Sequence, residues 1–359
     1  MVARFLSKMF KLKLPSLGKK ESFPEQFFAL DIGERNLKVF LLSVSGNTVV
    51  PIGSRKFGRA DSLEEDAFNL KEAATQLRAD FPEASPLAVV GLSGPNTSAF
   101  TTVVRSSTSR DVQDLVSHAR EEARRGAEEE LRLSLGDPRL KVSEVEAEIL
   151  EVKEADKLEV FLFTSFASAF YLNELSQLVR SSGLELWGFS SIPFNLVTEL
   201  ARAAAAADHK EQLNALILDI GGSKTEVSLA FGGELMDTKS FWWSFQENGN
   251  PAAFLELWLE AVSAVLAEFE GVEGFPAKIY LAGGAAAFPG LLEVTASYPW
   301  SRDHPFEVAP EVVLLEEDRI SASLGQVALR LRREAEIKTP EEEKEGGEDL
   351  GSDGEEKME

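Results

Sequence analysis

The chain has 359 residues, of which 44% are hydrophobic and 27% are charged. Its length predicts roughly two or three domains, and its composition excludes a mostly disordered or collagen-like protein. It contains no cysteine, which excludes disulfides, thiolate zinc sites and cysteine nucleophiles and fits a reducing cytoplasm. The formal net charge of −23 disfavours nucleic acid as a partner. The histidines, His118, His209 and His304, are far apart in sequence, so no histidine-based metal cluster is expected.

The two ends of the chain carry opposite charges. Residues 1–20 hold six basic residues and no acid, with apolar residues at helical spacing between the lysines. This pattern predicts a basic amphipathic leader over 1–24 that makes a weak membrane-surface contact through 1–14; the alternative is a floppy basic leader. Residues 334–359 hold twelve acids against three lysines, which predicts a disordered acidic tail. No apolar run approaches the ~20 residues of a membrane span, so we expect a cytoplasmic protein.

The folded body begins with a predicted β-hairpin, formed by the apolar runs FFALDIG and LKVFLLSV. The strand-like runs that follow span residues 87–92, 100–105, 145–152 and 158–164. Between the second and third of these, Ser109 caps a long amphipathic helix that ends at Gly136 and Pro138. A helix over 168–182 and the extended segment ELWGF come next. This order of elements is typical of a small α+β module.

The second half of the chain contains a second hairpin pattern, ALILDIGGSKTEVSLAF, preceded by a helix-favouring, alanine-rich segment at 194–207. A long helix over 251–269, a buried strand KIYLAGG and a final helix around 320–333 follow.

The two hairpins repeat one another, because each has a strand that leads into Asp-Ile-Gly, at residues 31–33 and 219–221, before a turn and a returning strand. Tight glycine turns leave backbone N–H groups that can hold an anion. An aspartate at each turn suits Mg²⁺, which takes one or two carboxylates, often through water, together with phosphate oxygens. The repeat therefore predicts two loops that clasp a polyphosphate.

Together with the turn LAGGAAAFPG at 281–290, these hairpins resemble the superfamily of actin, sugar kinases and Hsp70. The two phosphate loops and the adenosine loop of that superfamily would be DIGERN, DIGGSKT and LAGGAAAFPG here. Within it, the chain is most similar to the actin-like ATPase family of the PilM (type IV pilus assembly) and FtsA (cell division) type. Its acidic C-terminus and basic leader look more like the pilus members.

The resemblance covers residues 25–333 and implies an α/β, actin-like (ribonuclease H-like) two-domain fold. It implies an inserted strand-helix-strand-strand module and, because the segment between Phe231 and Lys278 is short, a shortened or missing fourth subdomain. The implied units are domain I at 25–97 and 183–213 with a closing helix at 320–333, the inserted module at 98–182, and domain II at 214–319.

The resemblance also implies a site for ATP and Mg²⁺. Its residues are Asp31, Gly33, Asn36 and Lys38 in the first phosphate loop, Asp219, Gly221, Gly222, Ser223 and Thr225 in the second, and Gly283, Gly284 and Ala285 in the adenosine loop. Asp31 and Asp219 would hold the Mg²⁺ through water. No catalytic residue is assigned.

Some neighbouring residues depart from the family pattern. Glu34 and Arg35 replace small polar residues in the first loop, and a carboxylate there is poorly suited to a phosphate. Lys224 stands where a small hydroxyl residue is usual. A missing fourth subdomain would also remove one wall of the nucleotide cleft. A weak ATPase and a nucleotide-free scaffold are therefore both left open.

The resemblance leads to competing functions. The first is a scaffold at the inner face of the membrane, in type IV pilus assembly or in cell division, that binds the cytoplasmic tail of an inner-membrane assembly protein and can self-associate. Phe166, Phe170 and Tyr171 are candidates to line the groove for that tail, although aromatic residues at helical spacing are typical of a core. The second is a small-molecule kinase, for which the sequence shows no general base beyond the two metal-site aspartates.

Overall fold

The computed structural model of the chain describes residues 24–106, 112–154, 157–207, 212–245 and 251–330. The predicted leader up to residue 23, Ser109 and the predicted acidic tail lie outside these ranges. The strands are β1 (Gln26–Ile32), β2 (Asn36–Ser45), β3 (Thr48–Gly58), β4 (Leu87–Leu92), β5 (Thr97–Arg105), β6 (Val142–Glu154), β7 (Leu158–Ser168), β8 (Glu185–Ser191), β9 (Ala215–Ile220), β10 (Lys224–Phe231), β11 (Glu234–Trp242), β12 (Lys278–Ala282) and β13 (Glu311–Leu314). The helices are α1 (Leu63–Asp80), α2 (Val112–Leu135), α3 (Ala169–Ser181), α4 (Ile192–Ala207), α5 (Pro251–Leu266), α6 (Leu291–Ser297), α7 (Trp300–Asp303) and α8 (Glu317–Leu324).

Two five-stranded sheets of the same topology form the body of the protein, with strand orders β3-β2-β1-β4-β8 and β11-β10-β9-β12-β13. The central strand of each sheet, β1 or β9, is antiparallel to the next strand in the chain and parallel to a later one. The turn after each central strand closes in the same way. Gly33 N–H donates to the Asn36 carbonyl and Gly221 N–H to the Lys224 carbonyl, both at 2.9 Å. The predicted repeat of two hairpins is thus part of a repeat of two whole sheets.

The first sheet is covered on both faces, and the alternation along β1 shows how. Phe28 and Leu30 pack with residues of α1 and α3, whereas Phe27 and Ala29 pack with residues of α8 and of the helical segment 326–330. Successive side chains of a strand point to opposite faces, so a strand buried on both faces is apolar throughout. This explains the unbroken run FFAL in the sequence.

The second sheet is covered in the same manner. Leu218 and Ile220 of β9 pack against Trp258 of α5, while Ile217 on the opposite face packs against Leu196 of α4. Helix α4 therefore covers the face of the second sheet that lies opposite α5.

The inserted module is a three-stranded antiparallel sheet of order β5-β7-β6. The apolar face of α2 covers one side of it, and Phe163 on the other side stacks on Phe194 of α4 with ring centroids 5.1 Å apart. Helix α3, which the predicted boundary of 98–182 assigns to the module, contributes Leu175, Leu178 and Val179 to the core of the first sheet.

The fourth subdomain is missing from the described chain, as the short segment between Phe231 and Lys278 predicted. The described residues of this segment form only β11, α5 and their connections. The predicted helix over 251–269 ends at Leu266, and the predicted closing helix is interrupted by a turn at Gly325.

Several elements were not predicted: β3, α1, β11, α6, α7 and β13. Helix α1 shows why, because its buried face consists mainly of alanine and leucine, which give it little amphipathic contrast. Among the described residues, no helix is long and apolar enough to cross a membrane.

Candidate functional site: a cleft between the repeated loops

A cavity of about 490 Å³ is lined by residues from both sheets, at the ends of their central strands. Every residue predicted for the nucleotide site lines this cavity except Ser223 and Thr225. Its volume lies within the ~300–1,000 Å³ typical of sites for small molecules. Residues more than 250 positions apart, such as Asp31 and Gly284, are brought together by the repeat of the two sheets.

Gly283 allows the third loop to approach the second one. It has a positive φ of 92°, and an added Cβ would overlap the Asp219 carboxylate and lie 2.5 Å from the Ile220 carbonyl oxygen. Two residues later, Ala285 N–H donates to that same carbonyl at 2.9 Å. Only glycine satisfies both the backbone conformation and the close approach.

Lys38 lies between two carboxylates at the wall of the cavity. Its Nζ is 3.1 Å from Asp31 Oδ2 and 3.2 Å from Glu317 Oε1. Burial lowers the pKa of Lys38, but the two carboxylates outweigh this effect and raise the pKa above its ordinary value. Lys38 therefore stays charged and offsets the charge of Asp31.

Asp219 is the more deeply buried of the two aspartates. Burial and, secondly, the charge of Asp31 raise the pKa of Asp219 to about 6, although a hydrogen bond with Ser93 lowers it. The carboxylates of Asp31 and Asp219 form a suitable place for a cation, because a divalent ion would offset both of their negative charges. In the described ranges, no cluster of three or more histidine, aspartate or glutamate side chains is arranged to hold a metal ion, so Mg²⁺ would need water and ligand oxygens as well.

Thr225 and Ser223 have other partners. The Thr225 hydroxyl is fully buried and accepts a hydrogen bond from Trp258 Nε1 at 3.2 Å, so it belongs to the core of the second sheet. The Ser223 hydroxyl donates to Glu34 Oε1 at 2.7 Å, across the cleft.

Lys224 points away from the cavity. Its side chain is fully buried, and its Nζ donates to the Thr97 carbonyl at 2.7 Å and lies 3.2 Å from Glu130 Oε1. The Ser98 hydroxyl donates to the other oxygen of that carboxylate. Because Thr97 and Ser98 open β5 and Glu130 lies on α2, Lys224 ties the second sheet to the inserted module.

Glu226 is the neighbour of Lys224 on the same face of β10 and is also buried. Burial raises the pKa of Glu226 to about 7, although the positive charge of Lys224 lowers it. The charge of Asp219, its partner on β9, adds to the rise.

We expect this group to make the stability of the protein depend on pH. The pKa of Glu226 is about 7 in the folded chain against an ordinary value of 4.5. Between these two pH values the folded state therefore keeps a proton that the unfolded state loses. The free energy of unfolding should therefore fall as the pH rises through this range. Glu226→Gln should flatten this dependence and raise the free energy of unfolding near pH 8 by up to about 3 kcal/mol.

The measurement is urea unfolding of both proteins at several pH values. Glu311→Gln, at an exposed carboxyl group, serves as the control and should keep the wild-type slope. Parallel pH profiles for Glu226→Gln and the wild type would contradict the expectation.

The structure adds residues to the cavity wall beyond those predicted for the nucleotide site. Five of them lie within the predicted first phosphate loop and adenosine loop: Ile32, Glu34, Arg35, Ala287 and Phe288. The others come from outside the predicted loops, and the sequence did not indicate them for this site: Arg59, Ser93, Gly94, Pro95, Asn96, Tyr171, Glu174, Ile192, Phe245 and Ile320. Glu174 and Glu34 add carboxylates beyond the two predicted aspartates, which removes one objection to a kinase. Phe245 and Phe288, whose ring centroids are 5.5 Å apart, provide an apolar wall on the side of the adenosine loop.

The basic side chains of the cavity are held by protein groups. Arg59 Nε lies 2.6 Å from Asp66 Oδ2. Arg35 donates to the Phe245 carbonyl, and Lys38 pairs with the two carboxylates described above. An anionic ligand would therefore depend on backbone N–H groups and on a cation that it brings with it.

The candidate aromatic residues of the partner groove lie in three different places. Phe166 is on β7 and packs in the module core against Ala123 and Ala127, so its assignment to a groove is wrong. The Tyr171 hydroxyl donates to the Ile32 carbonyl at 3.3 Å, and burial raises the pKa of Tyr171 to about 12. Only Phe170, which is 71% exposed, is accessible to a partner.

The two histidines in the described ranges do not share a site. His118 is exposed on α2, His304 is buried with its Nε2 2.7 Å from the Ser263 hydroxyl, and His209 lies outside the described residues.

Comparisons with known proteins show the fold. No protein-family model and no curated protein matches the chain. A solved structure described as the PilM-PilN type IV pilus biogenesis complex matches with a TM-score of 0.56 and 18% identity, over 87% of this chain and 99% of that one. The ethanolamine utilization protein EutJ from Carboxydothermus hydrogenoformans matches with a TM-score of 0.46 and 12% identity, over 86% of this chain and 91% of that one.

A Bacteroides thetaiotaomicron protein described as having an actin-like ATPase fold and unknown function matches with a TM-score of 0.44 and 10% identity, over 86% of this chain and 96% of that one. The predicted actin-like, two-sheet α/β fold and its resemblance to PilM are thus confirmed at the level of the fold.

Proposed function

We propose that this protein is an actin-like scaffold of an inner-membrane assembly, of the type IV pilus kind, whose cleft binds ATP with Mg²⁺. The observation that carries the nucleotide part is the cavity between the two repeated loops, which the adenosine loop also lines. The fold shared with the PilM-PilN complex supports the assembly role.

The residues of the cleft fit such a ligand. Gly221, Gly222 and Gly284 border the cavity with backbone alone, which allows close approach of phosphate oxygens. Asp31 and Asp219 would hold Mg²⁺ through water, and the ion would supply the positive charge that the paired basic residues do not. Without a fourth subdomain, the base would rest against Phe245 and Phe288 in a more open site, so we expect weak affinity and at most slow hydrolysis.

A thermal unfolding titration tests the nucleotide part. A ligand at 100 times its dissociation constant stabilises the folded state by about 2.7 kcal/mol, so millimolar MgATP should raise the melting temperature of the wild type. Asp31→Ala and Asp219→Ala should abolish the rise, whereas Asp61→Ala, at an exposed aspartate before α1, should retain it. No rise in the wild type up to several millimolar would contradict nucleotide binding.

The proposal of a protein partner is based on exposed aromatic residues. Phe170 on α3 is 71% exposed and Phe68 on α1 is 65% exposed, and these two helices pack against one another. Exposed aromatic side chains on neighbouring helices are typical of a protein-binding surface. We propose that this surface takes the cytoplasmic segment of a PilN-like inner-membrane protein, while residues 1–14 contact the anionic lipid surface.

Phe170→Ser should weaken binding of that segment about tenfold or more without a change in melting temperature, because the side chain is exposed. A fluorescently labelled peptide of the PilN-like protein from the same genome is titrated with the full chain, and anisotropy is followed. Leu133→Ser, at a residue of α2 that is 78% exposed, is the matched control. Equal weakening by both variants, or by neither, would contradict a site at Phe170.

A nucleotide-free scaffold is the second candidate. The contacts of Glu34 with Ser223 and of Arg35 with the Phe245 carbonyl favour it, because side chains of the protein itself join the two domains across the cleft.

A further inference from the structure

The first phosphate loop places two consecutive side chains on the second domain. Glu34 Oε1 accepts a hydrogen bond from the Ser223 hydroxyl at 2.7 Å, and Arg35 Nη2 donates to the Phe245 carbonyl at 2.7 Å. The other carboxylate oxygen of Glu34 lies 2.5 Å from the position that a Cβ of Gly222 would take. The Glu34 carboxylate is therefore packed directly on the glycine turn of the second loop.

This carboxylate lies where an anion would be expected. The Asp-Ile-Gly-Gly turn is the element whose backbone suits a phosphate, and Glu34 brings its own negative charge to that turn. The basic side chains of the cavity already have protein partners, so none of them offsets a second anion beside Glu34. A ligand phosphate and the Glu34 carboxylate would repel one another at this position.

We propose that Glu34 is an internal latch, which occupies the anion position of the second loop and, with Arg35, holds the two domains closed until a ligand phosphate displaces it. The identity of the displacing ligand, MgATP, rests on the proposed function. The closing contact made by the latch does not rest on the proposed function, because it is made between residues of this chain.

The lack of cysteine in the chain makes a distance measurement direct, since two introduced cysteines take spin labels at defined positions. Glu64→Cys on α1 and Glu293→Cys on α6 are exposed sites in the first and second domains. Electron paramagnetic resonance then reports the distance between the domains of the full-length protein.

With Glu34 present, we expect one narrow distance distribution. Glu34→Ala should make it longer and broader, and Glu34→Ala with Arg35→Ala should do so further, whereas Glu83→Ala, at an exposed glutamate of the first domain, should leave it narrow. A narrow distribution in all variants, or a broad one with Glu34 intact, would overturn the latch.

Measuring the affinity for MgATP distinguishes a failure of the latch from a failure of the proposed function. Glu34→Gln removes the charge and should bind MgATP at least about tenfold more tightly than the wild type. Equal or weaker binding by Glu34→Gln would overturn the displacement of the latch by phosphate. Domain opening in Glu34→Ala without MgATP binding by any variant would leave the closing contact established and would refute the nucleotide part of the proposed function.

Discussion

Lys224→Ala should lower the free energy of unfolding by about 3 kcal/mol, because removal of one partner from a buried ion pair leaves the other uncompensated. The lysine is fully buried, and its Nζ is held by the Thr97 carbonyl and by Glu130. Glu130 keeps 31% of its side chain exposed, so its carboxylate can recover some hydration, and the loss should lie at the lower end of the usual range. The midpoint of urea unfolding measures the effect.

Lys278→Ala is the matched control for this prediction. Lys278 also lies on a strand of the second sheet and pairs with a glutamate, but its side chain is 35% exposed and Glu311 is 67% exposed. Exposed pairs contribute about 0–1 kcal/mol, so the control should unfold almost as the wild type does. Equal shifts in the two variants would show that Lys224 does not hold the module to the second sheet.

Gly283→Val should destabilise the protein by about 3 kcal/mol or more and should remove ligand binding in the cleft. The positive φ of 92° strains any residue with a Cβ, and this atom would lie 2.5 Å from the Ile220 carbonyl oxygen and 2.7 Å from the Ile220 nitrogen. The third loop would have to move away from Asp219. Chemical denaturation and a titration with MgATP measure the two effects.

The next glycine provides the control. A Cβ on Gly284 would meet no atom within 4 Å, and its φ is not in the left-handed region. Gly284→Ala should therefore change the free energy of unfolding by less than about 0.5 kcal/mol. A stable, well-folded Gly283→Val protein would contradict the close contact between the loops.

The two Asp-Ile-Gly hairpins made the fold and the centre of the site predictable. The repeat in sequence corresponds to a repeat of sheets with the same strand order, and both turns line one cavity. The turns could be recognised from their glycine and aspartate residues, because the backbone conformation of a tight turn depends on residues that are close in sequence.

The rest of the site depends on tertiary packing. Tyr171 and Glu174 reach the cavity because α3 packs into the core of the first sheet, and no local pattern shows this placement. Phe166, Phe170 and Tyr171 have helical spacing in the sequence, but β7 continues to Ser168, so Phe166 follows the alternation of a strand.

The burial of Lys224 against the inserted module could not be predicted from the sequence either. Side chains alternate along β10, so Lys224 and Thr225 point to opposite faces. The pattern cannot tell which of these faces is covered by an inserted module, because that covering comes from β5 and α2, elements far away in sequence.

Hydrogen–deuterium exchange of the full chain, with and without MgATP, tests most directly whether a nucleotide lies between the repeated loops. We expect slower exchange with MgATP in the loops at 31–36, 219–225 and 281–290, and we expect Asp219→Ala to lose this protection. Unchanged exchange in these three loops at saturating MgATP, or protection confined to another part of the chain, would contradict it.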